Sequence, residues 1–549
     1  MDVLPVTAPP PGSAEAAPHD LQVVDHSTLA KADNASLEPW QKVITQVIKA
    51  VVSIKVTALR CFDTDHATSF EGTGFVVDRA RGLILSNRHM VTQGPITATA
   101  TFENYEEIIL EAAYFDPVHD FGFFRYDPKS VNFAQVEEIE LFPQGAKVGV
   151  DIKICGNDAG EKLSILGATL ARLDRAAPYY GGGYNDFNIN YFQAASGTSG
   201  GSSGSPVLDI QGRAIALNAG GRTGALSGFF LPLDPVVRAL EYVRRGEVVP
   251  RGTLQTVFLY TSYDELKRVG FPESAEAECR ERNPVGTGLL KVSEILPEGP
   301  GDKSGLEVGD VLVECYEGSY GKRFVDGFHT LWEVIDNSVD KEIQLTLYRG
   351  HDPHTITVRV QDLHSITPKE FLEIGNGIFN PLSYQLARFH HMPVRGIYSA
   401  ESGIFNWASL TGGFLMTQLD GKPINTLEDF KRIYLSLPDR KRLQFRFLML
   451  GDRDAKFGMV EIDHHFYANA HFTRQIGGGW KRTLLSLNAA EEGEGGWKLK
   501  RAPTIEPDDR SAVEILKNSL VMVECRLPYS VDVPPSPTHV YRYTSLVRY

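Results

Sequence analysis

Cysteine is scarce in this chain: five residues in 549, at positions 61, 155, 279, 315 and 525. They are odd in number, widely separated and never arranged as C-x-x-C, which excludes a disulfide framework and a cysteine-based zinc site and suits a reducing compartment. An excess of positive charge is also missing. The net charge is -14, so a nucleic-acid-binding surface is not expected as the main role. The longest basic run, Arg440-Lys-Arg, is short for a nuclear address. No apolar stretch approaches the ~20 residues that span a bilayer, and residues 1–20 carry neither a basic nor an apolar leader segment. These absences together predict an intracellular protein with no membrane partner.

Glycine and serine are abundant in one place. Residues 196–205 read S-G-T-S-G-G-S-S-G-S. Such a composition suits a flexible spacer. The run leads directly into Pro206-Val-Leu-Asp-Ile-Gln-Gly-Arg-Ala-Ile-Ala-Leu, two short apolar strands about a Gln-Gly turn. A loop tied this closely to a hairpin belongs within a domain.

The chain divides as follows. Residues 1–35 are rich in Pro and Ala and read as a disordered tail. Residues 36–248 form one domain: a helix capped by Ser36, then many short strands with turn residues between them, then a helix with Asp234 as cap and Pro235 in its first position. That pattern predicts two packed β-barrels. Residues 249–364 and 365–465 follow one plan of strands and short helices, as an internal duplication would. The second contains a helix opened by Thr426 with Glu428 and Asp429 in its first turn. Residues 466–549 read as linker, with one apolar strand at 520–525. The fold class is therefore mainly β, with α+β modules after the barrels.

A serine hydroxyl attacks only with a base to take its proton, an acid behind the base and donors for the oxyanion. His89 stands just past the apolar strand Leu83-Ile-Leu-Ser, where a base is held rigidly and still faces a cleft. Asp120 directly precedes the apolar run Phe121-Gly-Phe-Phe, where its carboxylate can be buried beside an imidazole. His119, next to it, reads as a surface residue. Two serines compete for the nucleophile: G-x-S-G-G selects Ser199 and G-x-S-G-x-P selects Ser203. The second register is favoured because it alone places Pro206 and the hairpin immediately after the loop. The backbone N–H groups of Gly201 and Ser203 then become the oxyanion donors. The order His, Asp, Ser is that of chymotrypsin-type barrels.

Four segments, Gly72-Thr-Gly-Phe-Val-Val, Leu85-Ser-Asn-Arg-His, Asp116-Pro-Val-His-Asp and Gly201-Ser-Ser-Gly-Ser-Pro, resemble the HtrA/DegP serine proteases. Gly301–Val313 and Leu419-Asp-Gly-Lys-Pro-Ile-Asn resemble PDZ domains. The wording is closest to the fungal nuclear, pro-apoptotic proteases of HtrA type, whose long chains carry a protease-like domain in each half. The resemblance covers about residues 40–465, and 518–528 resemble the opening of a second, degenerate protease-like half. It implies a chymotrypsin-like double barrel followed by two PDZ-like domains. It also implies an ATP-independent serine endopeptidase with His89 as base, Asp120 as orienter and Ser203 as nucleophile. No metal or organic cofactor is implied. Asn218, Ala219 and Gly220, with Gly197 near the floor, would form a pocket for small or medium apolar side chains. The PDZ-like units would capture extended apolar C-termini. In the first unit, Gly252, Thr253, Leu254 and Gln255 would form the carboxylate loop, with Phe328, Leu331 and Trp332 facing the ligand. Protein and peptide substrates, a nuclear location and a homo-oligomer belong to the same expectation. Ser202 and Ser205 depart from the family pattern, with Ser205 standing where glycine is usual; they motivate the rival reading of a weakly active or inactive PDZ scaffold.

Overall fold

The computed structural model describes residues 39–157, 163–179, 184–195, 201–222, 227–318, 321–406, 412–452, 454–464, 466–467, 469–475 and 478–485. The expected tail at 1–35, the Ser36 cap, Gly197, Ser199 and the strand at 520–525 lie outside these residues.

Helix α1 (Pro39–Val47) lays Val43 and Val47 on the first barrel. The barrel closes from β1 (Val51–Ala58), β2 (Ser69–Asp78), β3 (Leu83–Ser86), β4 (Ile96–Thr101), β5 (Glu107–Phe115) and β6 (Gly122–Arg125), in the order β1-β2-β3-β6-β5-β4. In β4 and β5 buried residues alternate with more exposed ones, as one-sided burial requires. All of β3 is buried, which explains its apolar run Leu83-Ile-Leu; the buried Ser86 hydroxyl donates to the Thr73 carbonyl at 2.7 Å. The single helical turn α2 (Arg88–Val91) leaves the end of β3 directly.

The second barrel contains β7 (Asp151–Gly156), β8 (Ser164–Ala176), β9 (Asn190–Ala194), β10 (Pro206–Leu208), β11 (Ala214–Arg222) and β12 (Ser227–Pro232), closed in the order β10-β11-β12-β9-β8-β7. Ile152, Ile154, Val207, Ile215 and Phe230 fill it. Helix α3 (Asp234–Arg245) follows. Its N-cap is Leu233, with no side-chain capping bond, and Asp234 is the first helical residue. The expected Asp234 cap is thus displaced by one position, and the carboxylate meets the helix N-terminus through the dipole alone.

The first module comprises β13 (Gly252–Thr253), β14 (Thr256–Ser262), α4 (Tyr263–Arg268), α5 (Glu273–Arg282), β15 (Gly288–Ile295), α6 (Pro300–Lys303), β16 (Val311–Glu317), β17 (Gly321–Phe324), α7 (Phe328–Asn337), β18 (Glu342–Arg349), β19 (Asp352–Arg359) and β20 (Gln361–Asp362). Its main sheet runs β14-β15-β16-β18-β19, so β14 is an end strand.

The second module comprises β21 (Glu370–Ile374), β22 (Gly377–Pro381), α8 (Tyr384–Phe389), β23 (Ile397–Glu401), β24 (Phe414–Leu419), β25 (Lys422–Pro423), α9 (Leu427–Leu435), β26 (Arg442–Met449), β27 (Lys456–Glu461), β28 (Ala470–Arg474) and β29 (Trp480–Leu484). From β22 onward the order of strands repeats that from β14, with α8 and α9 in the places of α4 and α7; α5 and α6 have no α-helical counterpart among the described residues. Thr426 and Asp429 form a reciprocal capping box on α9. The expected boundary at 465 is corrected: the sheet runs β27-β26-β24-β23-β22-β21-β28-β29, and residues expected to be linker supply its last two strands. These strands are short and half polar, and they are held by packing. Phe472 stacks on Phe371 at 4.5 Å, and Trp480 packs edge-on to Phe62 of the first barrel at 5.4 Å. Among the described residues no helix is long and apolar enough to cross a membrane.

Candidate active site

β3 ends at Ser86, and α2 swings the next residues across the barrel mouth. The His89 Nδ1 lies 2.9 and 3.0 Å from the two Asp120 carboxylate oxygens, and the His89 backbone N–H donates to the same carboxylate at 3.1 Å. Asn87 fixes the other side of this turn, donating its amide to the Asp120 carbonyl at 2.9 Å. The Asp120 side chain is 2% exposed and that of His89 40%. Burial pushes the Asp120 carboxyl upward, but the His89 charge and its hydrogen bonds outweigh it and leave the group below its ordinary value. Burial likewise disfavours the imidazolium, and the Asp120 carboxylate outweighs that and raises the His89 pKa.

The serine loop is placed through its backbone. Thr73, from the Gly-Thr-Gly of β2, donates its N–H to the Ser203 carbonyl at 2.8 Å and its hydroxyl to the Gly201 carbonyl at 2.9 Å. Gly204 is pressed between β2 and β3 with φ +85°. A Cβ there would lie 2.0 Å from the Thr73 carbonyl oxygen and 2.4 Å from the Ser86 hydroxyl, so only glycine fits. Gly204, next to Ser203, is thereby brought beside Ser86, three residues before His89. Among the described residues the Ser203 hydroxyl makes no hydrogen bond to the His89 ring, and the N–H groups of Gly201 and Ser203 donate to no acceptor. Two of the three expected catalytic residues are joined directly, and the third through the scaffold.

Ser205, the departure from the family pattern, is accommodated by a second glycine. Its hydroxyl donates to the Ser202 carbonyl at 2.6 Å, and a Cβ on Gly156 would lie 1.8 Å from it. Asn218 has a different task from the expected pocket wall. It is fully buried, and its amide donates to the Ser202 carbonyl at 2.7 Å and to the Ser202 hydroxyl at 3.1 Å. Its polar end therefore holds the serine loop. Ala219 is buried and Gly220 half-buried beside it.

His119 is not on the surface. It is 2% exposed, with Nε2 at 3.3 Å from the Phe187 carbonyl and Nδ1 at 3.3 Å from Arg251. Docking of the first module covers it. Burial, reinforced by Arg251, lowers its pKa to about 4, so it is neutral. Arg251 also bridges Asp116 of the barrel at 2.9 Å and Asp336 of α7.

In the first module the expected carboxylate loop is largely occupied by internal bonds. Gly252 and Thr253 pair with β20, the Gly252 N–H donates to Asp336 at 2.9 Å, and the Gln255 N–H donates to the Thr253 hydroxyl at 2.9 Å. Leu254 is buried, as is Leu331 on α7. Leu254, Phe258, Phe328, Leu331 and Trp332 line a narrow groove between β14 and α7 together with Phe187 and Asn188 of the barrel domain.

A family model for the trypsin-like peptidase domain matches residues 72–217, and one for the PDZ-like domain matches residues 365–440. The chain is 40% identical over 532 residues to the pro-apoptotic serine protease NMA111 of Coccidioides immitis, a match covering 93% of this chain and 50% of that protein. Against the Aspergillus terreus protein of that name it is 43% identical over 516 residues, or 90% and 48% of the two chains. Against Protease Do-like 7 of Arabidopsis thaliana it is 45% identical over 445 residues, or 78% and 40%. The chain carries a trypsin-like peptidase domain and a PDZ-like domain, and it is similar along most of its length to these proteases. It spans about half the length of the curated relatives it matches.

One feature of this site was missed in the sequence. Asp186, on the segment between β8 and β9, accepts the Asp120 backbone N–H at 2.9 Å and the Tyr191 hydroxyl at 2.7 Å on the same oxygen. Burial, reinforced by the Asp120 charge, pushes its carboxyl up to about 8. Of these two adjacent buried acids, Asp120 carries the charge. No local motif marks Asp186; the only available signal is an acidic residue amid Tyr184, Phe187 and Tyr191.

Proposed function

We propose that this chain is an ATP-independent serine endopeptidase that forms an acyl-enzyme through Ser203, with His89 as general base and then acid, and Asp120 as its orienter. The His89–Asp120 contact carries the reading: a buried carboxylate on Nδ1 leaves Nε2 to face the nucleophile and stabilises the imidazolium as it forms. The N–H groups of Gly201 and Ser203 are the oxyanion donors, and hydrogen bonds of this kind shorten as substrate binds. Ala219 and Gly220 leave room for small or medium apolar side chains. The PDZ-like part regulates the enzyme by binding extended apolar C-termini. The names of the fungal relatives support a pro-apoptotic role, and the nucleus is the compartment we assign.

A fluorophosphonate probe tests the reading. Labelling of the full chain is expected to vanish in Ser203→Ala and to persist in Ser199→Ala. The opposite pattern moves the nucleophile to Ser199, and no labelling of folded protein supports the inactive scaffold that Ser202 and Ser205 motivate.

A further inference from the structure

Strand addition needs a free strand edge beside a helix. The two modules offer equivalent edges, β14 beside α7 and β22 beside α9, and this chain occupies both with its own atoms in very different ways.

At β14 the occupant is one side chain. The Asn188 amide donates to the Thr256 carbonyl at 3.0 Å and accepts the Phe258 N–H at 2.7 Å. One peptide-like group thus satisfies the edge atoms of two alternate residues, as one unit of an added strand would. Two half-buried hydrogen bonds from a single side chain are a small obstacle to a competitor.

At β22 the occupant is a whole strand. β21 lies antiparallel on it, with Leu372 opposite Phe379, Glu373 opposite Ile378 and Ile374 opposite Gly377. Leu372 and Ile374 are buried in one cluster with Leu427, Phe430, Ile433 and Tyr434 of α9, so they fill the space between strand and helix. The link from β21 to β22 is the two-residue turn Gly375-Asn376, with φ +55° and +59°, a tight hairpin that keeps the strand at high local concentration. The far edge of β21 is itself paired, from Glu370 opposite Thr473 to Glu373 opposite Ala470 of β28. Displacing β21 breaks ladders on both its edges and exposes its buried side chains.

We propose that the second PDZ-like module is self-ligated by β21, so that an extended peptide adds only to β14 of the first module, in place of Asn188. This rests on the peptide-binding reading above.

The test uses the full chain and a fluorescein-labelled decapeptide ending in Val-Val-Leu with a free carboxylate. Calorimetry is expected to give one peptide per chain. Glu373→Cys with Ile378→Cys, directly opposite across the hairpin, locks β21 in place when oxidised. The oxidised and reduced double variant should bind with the same stoichiometry and affinities within twofold. A second site that disappears on oxidation, or binding lost on oxidation, overturns the proposal. Asn188→Gly tolerates the φ of +55° at this position and should tighten binding about three- to tenfold by removing the competitor; unchanged affinity overturns the assignment to β14. If the peptide fails to bind at all, the peptide-binding reading falls, and hydrogen exchange decides self-ligation separately. The β22 amides should be as protected as those of β23 in the peptide-free chain, and exchange as fast as an open edge overturns it.

Discussion

The Asp186 carboxyl receives the backbone N–H of Asp120 at 2.9 Å, which places a second acid behind the acid that holds His89. Burial and the Asp120 charge keep Asp186 protonated up to about pH 8. Asp186→Asn preserves a neutral acceptor and should leave kcat/KM near that of the parent. Asp186→Ala strands the Asp120 N–H, a loss of about 1–3 kcal/mol, or roughly five- to 150-fold in kcat/KM if it falls on the transition state. Between the ordinary value of 3.8 and about 8 the folded chain holds a proton that the unfolded chain has released, so this group makes stability fall as pH rises across that window. Urea denaturation at pH 5 and pH 8 should show Asp186→Asn gaining on the parent at the higher pH. A constant difference overturns the assignment.

The working form of His89 is neutral, and Asp120 raises its pKa above the ordinary 6.5. The rate of fluorophosphonate labelling should therefore rise with pH to a midpoint above 6.5. Asp120→Asn removes the carboxylate, so the midpoint should move down while the plateau drops by roughly 10⁴-fold. A midpoint that does not move with Asp120 separates this aspartate from the base.

Gly156 and Ser205 should behave as a coupled pair. A methyl group on Gly156 collides with the Ser205 hydroxyl, so Gly156→Ala should displace the serine loop at a cost of about 1–3 kcal/mol. Ser205→Gly in the same chain removes the collision and should restore most of the labelling rate. Additive effects in this double-mutant cycle would show that the loop does not transmit the contact.

Arg251 joins the barrel to the first module through Asp116 and Asp336. Arg251→Met leaves both carboxylates buried without their cation and should destabilise the chain by about 3–5 kcal/mol. Urea unfolding followed by tryptophan fluorescence reads the change.

Much of the site was legible in the sequence because the relevant signals are local. A base at the end of an apolar strand, an acid before another and a serine loop tied to a hairpin each depend on a few adjacent residues. Gly204 stands inside that local signal: its place in G-x-S-G-x-P coincides with a backbone turn that admits no Cβ. The repeated plan of the two modules was legible for the same reason, since Thr426 and Asp429 announce their helix within four residues.

Tertiary structure alone decided three other things. His119 and Asp186 are buried by elements far from them in sequence, so local polarity gave no warning of their neutral state. The strands after residue 465 are short and weakly patterned; Phe371 and Phe62 make them strands. The two grooves diverge although their own strands and helices follow one plan, because what lies on β14 and on β22 is set by register across the sheet. Local sequence determined which residues can do chemistry here, and long-range packing determined which edges and charges remain available to do it.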